Sequence, residues 1–84
     1  MSRIALGRTF AKFRVDSIDS NYKGQIIIPV DSIISISTYS TIKGNSIICF
    51  KFNFKNKEIK HHVIVEDSVD DIDNYLRSIG TIIE

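Results

Sequence analysis

The chain has 84 residues, 11 Lys/Arg against 10 Asp/Glu, a formal net charge of +1 and one cysteine. A chain of this size hides only about 60% of its unfolded surface, so a single small domain with one thin core is expected over residues 1–84. The near-neutral balance excludes a strongly basic, general nucleic-acid binder, and the longest apolar run, Ile26-Ile27-Ile28-Pro29-Val30, is far short of the ~18–20 residues that cross a bilayer.

Ile, Val and Thr make 26 residues, with 17 isoleucines beside only two leucines and two alanines. β-Branched side chains fit a pleated, half-buried surface and lose χ1 freedom in helices, so a mainly β protein is predicted. Abundant Ile, Lys, Asn and Phe also follow from AT-rich codons, which points to a low-GC bacterium or a virus of one. No apolar stretch follows Arg3, so no signal peptide is expected. Cys49 alone forms no internal disulfide, and a reducing, cytoplasmic setting is expected.

Residues 9–16 alternate: Ala11, Phe13 and Val15 fall on one face, and Arg8, Phe10, Lys12 and Arg14 on the other. Residues 19–24, from Asp19 to Gly24, read as a break. Residues 25–28 form a short apolar strand that Pro29, lacking an N–H, ends or marks as an edge. In 33–39, Ile34, Ile36 and Thr38 oppose Ile33, Ser35, Ser37 and Tyr39. After a break at 41–45, residues 46–54 give the clearest strand, with Ile48, Phe50, Phe52 and Phe54 on one face and Ile47, Cys49, Lys51 and Asn53 on the other. Beyond Lys55-Asn56-Lys57, residues 58–65 set Ile59, His61, Val63 and Val65 against Lys60, His62 and Ile64. The period then changes: Val69, Ile72, Leu76 and Ile79 are one stripe of a helix over 69–79. Ser68 and Asp71 make a capping-box-like start, Asp67, Asp70, Asp71 and Asp73 suit the helix dipole, and Gly80 suits the C′ position. The predicted fold is a five-stranded antiparallel bent sheet or small open barrel with one C-terminal helix. The helix stripe is expected to cover Ile48, Phe50 and Phe52.

The series from Gln25 through Pro29, Asp31 and Ile33-Ile34-Ser35-Ile36, the Gly44-Asn45 turn, and Val63-Ile64-Val65-Glu66-Asp67-Ser68-Val69-Asp70-Asp71-Ile72 resembles the small FlbD-type flagellar proteins over residues 24–76. The resemblance implies a small non-catalytic interaction protein and carries no catalytic residues. The Arg-bearing first strand and the longer, more charged 51–60 segment depart from the family pattern. A pleckstrin-homology-like barrel has the same order of strands and helix, but this chain is a strand or two short of it.

His61 and His62 are adjacent on a strand, point to opposite faces and cannot chelate one metal together; His61 reads as a half-buried structural residue, and no metal or cofactor is expected. Cys49 reads as a packing residue rather than a nucleophile, because no base and oxyanion donor accompany it in a motif. The carboxylates of 66–73 lack the glycine turn of a calcium loop and read as helix capping. The charge is divided: residues 1–60 hold ten Lys/Arg and four Asp/Glu (+6), and residues 61–84 hold one Arg and six acids (−5). Arg8, Phe10, Lys12 and Arg14 interleave basic and aromatic groups, a platform for phosphate and base stacking; a solvated edge is the plainer reading. The Tyr39 hydroxyl and the Lys51 ammonium join them as candidates because their parities oppose the apolar faces.

These features predict a non-enzymatic binding protein, a bacterial or phage accessory factor acting as a homo-oligomer. Its partner is a host protein or a small, nucleotide-like anion, with no membrane involvement. Single-stranded RNA or DNA binding by the basic first strand is the alternative, and an enzyme built on Cys49 and a histidine is the third reading.

Overall fold

The computed structural model describes residues 9–79. Five strands and one helix follow in order: β1 (Phe10–Arg14), β2 (Gln25–Pro29), β3 (Ile33–Ser40), β4 (Asn45–Phe54), β5 (Lys57–Val65) and α1 (Val69–Ser78). A short 3₁₀ turn, Val30–Ser32, links β2 to β3 just after Pro29. The protein is mainly β and antiparallel, with a C-terminal helix, as predicted. The strands do not share one continuous sheet: β1 and β2 pair with each other, and β3, β4 and β5 form a second sheet in that order. A bridge between Val15 and Val65 joins the two, flanked by bonds from Asp16 N–H to Ile64 O (2.8 Å) and from Glu66 N–H to Arg14 O (3.0 Å). Among the described residues there is no closed barrel.

Alternation in β1 works as the sequence predicts. Ala11, Phe13 and Val15 turn inward and meet Ile28 of β2, Ile48 and Phe50 of β4, Val63 and Val65 of β5, and Ile72 and Leu76 of α1 in one core. Tyr75 caps that core: its ring meets Phe13 edge-on at 5.7 Å, and its hydroxyl accepts the outward N–H of Lys12 at 3.0 Å. The helix begins at the predicted cap, where Ser68 Oγ accepts from Asp71 N–H at 3.2 Å. It ends at Ser78, with Ile79 as its cap residue; Gly80 lies outside the described residues.

Two predicted faces are corrected. Phe52 is 40% exposed and Phe54 55% exposed, rather than buried with Ile48 and Phe50 under the helix. β3 begins opposite Phe50, so from Lys51 onward the ladder has, among the described residues, only β5 paired beside it and runs past the core. In β3, Ile33 and Ile36 pack on the core while Ile34 is exposed, against the expected pairing of Ile34 with Ile36. The register slips between Ile33 and Ser35, and such an irregularity resets which face each later side chain takes.

The hairpin between β4 and β5 closes through Lys55 (φ 52°) and Asn56 (φ 66°), the left-handed pair that a two-residue type I′ turn needs. Among the described residues, no helix is long and apolar enough to cross a membrane.

Candidate anion-binding face

Residues directly opposite in an antiparallel pair share a face. The β1–β2 register sets Phe10 opposite Pro29, Lys12 opposite Ile27 and Arg14 opposite Gln25. The outer face of this pair therefore carries Phe10 and Pro29 at one end, Arg14 and Gln25 at the other, and Lys12 across from Ile27 between them. Phe10 is 50% exposed and Ile27 61% exposed, and both basic side chains stand in solvent. Arg14 Nε lies 3.8 Å from Glu66 Oε1, but both side chains are at least half exposed, so this ion pair is weak and exchangeable.

Arg8 lies outside the described residues. Tyr39 does not join the face: it is exposed on β3, in the other sheet. Lys51 does not join it either. It lines an open groove of about 610 Å³ between β2 and the outer part of β4, along with Ile27, Pro29 and Phe52. Of the predicted set, Phe10, Lys12 and Arg14 come together, and Lys51 reaches the same β2 residues from the opposite wall.

His61 is not half-buried; it is exposed, although its ring packs 5.3 Å from Phe52 and its Nδ1 is 2.7 Å from the Tyr22 hydroxyl. His62 takes the opposite face, directly across from Cys49, so a thiol and an imidazole are neighbours on the ladder. No hydrogen bond joins them. No group of three metal-ligating side chains occurs among the described residues.

Sequence reasoning missed the two aspartates that hold the loop before β2. Asp16 Oδ1 accepts from Ile18 N–H at 3.0 Å and Oδ2 from the Asn45 amide at 2.9 Å. Asp19 Oδ1 accepts from Asn21 and Tyr22 N–H at 2.7 and 2.8 Å, and its Oδ2 reaches Ile64 N–H at 2.8 Å. The Ile18 N–H, then the Asn45 amide, hold the Asp16 carboxyl below the usual carboxylate range against the opposing effect of burial. Burial pushes Asp19 up, but the donors Ile64, Tyr22 and Asn21 outweigh it, and its pKa is also lowered. Burial, with the Asp19 charge, pushes the Tyr22 phenol up. The spacing Asp16-x-Ile18 and Asp19-x-Asn21 is the sequence signal for such turns, since an aspartate readily accepts from the N–H two residues on.

No family model, no curated protein and no solved structure matches this chain.

Proposed function

We propose that this chain is a small non-enzymatic binding protein that takes a nucleotide-like anion on the outer face of β1 and β2 and acts as a homo-oligomer. The observation that carries the reading is the common outward direction of Phe10, Lys12 and Arg14. An aromatic ring beside two cations offers stacking to a base and charge-assisted bonds to a phosphate, each worth about 1.5–3 kcal/mol. The FlbD-type resemblance over residues 24–76 points the same way, to a small non-catalytic interaction protein, and the AT-rich composition to a bacterial or phage origin. Exposed Ile27 and Ile34, and a β3 strand paired on one edge only among the described residues, supply the surface for a second copy.

Calorimetric titration of wild type and Lys12→Ala/Arg14→Ala, with mononucleotides and short oligonucleotides at two salt concentrations, tests the site. The double variant is expected to lose mononucleotide binding while its thermal midpoint barely moves, because solvent-facing charges contribute little to folding. Cys49→Ala is expected to bind as wild type. A wild type that binds nothing in the panel overturns the anion reading and leaves a protein partner. Binding of oligonucleotides but not of mononucleotides, lost in the double variant, replaces it with single-stranded RNA or DNA on the same strand.

A further inference from the structure

We infer that the outer arm of the β4–β5 hairpin is a second, separate binding surface, built for single-stranded nucleic acid. Three features of the arm go against the rules that stabilise a hairpin, and all three put cations or aromatic rings into solvent. First, the ladder continues past the core through the pairs Lys51–Lys60, Phe52–Ile59, Asn53–Glu58 and Phe54–Lys57, although an isolated two-stranded hairpin is marginally stable. Its Phe52 and Phe54 rings share one face, and both are exposed.

Second, Lys51 and Lys60 are directly opposite on the other face. Like charges so placed repel, and an anion between them relieves the repulsion. Third, the turn position at φ 52° is held by Lys55, where glycine or asparagine is the unstrained choice. That lysine's Nζ sits 5.3 Å above the Phe54 ring. Stability alone favours a shorter hairpin with an Asn-Gly turn and mixed charges.

Residues 51–60 hold four lysines and one glutamate, whereas the acids of the chain concentrate after residue 65. None of the four lysines is in an ion pair with a described residue. On a ribbon two strands wide, the Phe52/Phe54 face, with Lys57 opposite Phe54, is one edge away from the Lys51–Lys60 pair on the reverse face, which suits an extended single strand of little sequence preference that passes round that edge. The groove beside Phe52, walled by Ile27 and Pro29, gives an unstacked base an apolar recess next to Lys51. This surface adjoins the β1–β2 face at Ile27 and Pro29, but its rings and cations belong to β4 and β5 and do not depend on that reading.

Fluorescence anisotropy with a labelled oligouridine of about 15 nucleotides, a length within the range such platforms cover, tests the inference over a salt series. Phe54→Ala is expected to weaken binding roughly tenfold or more, the loss of one stacked base. Lys51→Ala/Lys60→Ala is expected to flatten the slope of log K against log salt by about 1.4, two phosphates at ~0.7 each. Its melting temperature is expected to hold or rise, because the cross-strand repulsion is gone. Lys12→Ala/Arg14→Ala is expected to keep the hairpin-dependent part of the slope. Wild type that does not bind oligouridine, hairpin variants that bind it as wild type does, or loss of all binding in the β1 variant each overturns the inference. So does a Phe54→Ala protein whose light-scattering mass falls below that of wild type, which would make the arm a subunit interface.

Discussion

Asp19 shows how much one side chain can hold. Its two oxygens accept three backbone N–H groups, one of them 45 residues away at Ile64. An amide at this position presents one oxygen and one NH₂, so in either orientation at least one N–H faces a donor instead of an acceptor. Asp19→Asn is therefore expected to cost about 1–3 kcal/mol at neutral pH. The pH dependence has a definite sign. The folded-state pKa is lowered, so the stabilisation is present above the unfolded carboxylate value of about 3.9 and is lost as pH falls through the folded value. Asp16 acts in the same direction. Chemical denaturation between pH 7 and pH 2 checks this: wild type should lose stability steeply at the acid end, and the variant more gently from a lower plateau. Equal stability of the two at pH 7 would mean that the loop does not rely on this carboxylate. The local half of the network carries a sequence signal that the reading of residues 19–24 as only a break leaves unused, because Asp-x-N–H spacing marks a turn. The reach to Ile64 carries none, because it depends on the bridge that brings β1 to the end of β5.

At the scale of elements, period and capping chemistry located every strand and the helix, and they failed where a neighbour ran out. Nothing in the alternation of Ile48, Phe50, Phe52 and Phe54 marks the point at which β3 stops pairing with β4; that point depends on where the 3₁₀ turn after Pro29 releases the chain. The slip in β3 was equally hidden, since Ile33, Ile34 and Ile36 are chemically interchangeable and either pairing satisfies the pattern. The corrected core makes a contrast that thermal or chaotrope unfolding can measure. Phe13 is 1% exposed and braced by Tyr75, so Phe13→Ala is expected to cost about 3–5 kcal/mol, enough to unfold much of a chain this small. Phe52→Ala removes a partly exposed ring at the start of the arm and is expected to cost less than about 1.5 kcal/mol. A larger loss for Phe52→Ala than for Phe13→Ala would place the hydrophobic centre in the hairpin.

At the scale of the whole molecule, two small antiparallel sheets meet at one bridge and share a core with one acidic helix. Six of the nine Lys/Arg among the described residues lie on β1 and the hairpin arm, and the acids gather at and after the end of β5. That separation was readable by counting charges along the chain. Which cations share a face was readable only for neighbours in one strand, as with Lys12 and Arg14; the Lys51–Lys60 pair required the register of two strands. Exposed Ile27 and Ile34 add apolar surface that a second copy would cover. Native mass spectrometry of the protein purified from its own host reads subunit number and retained ligand in one spectrum. The expected result is two or more copies carrying an anionic, nucleotide-like small molecule that Lys12→Ala/Arg14→Ala does not retain. A bare 9.6 kDa chain with nothing bound would contradict both the oligomer and the anion-binding face.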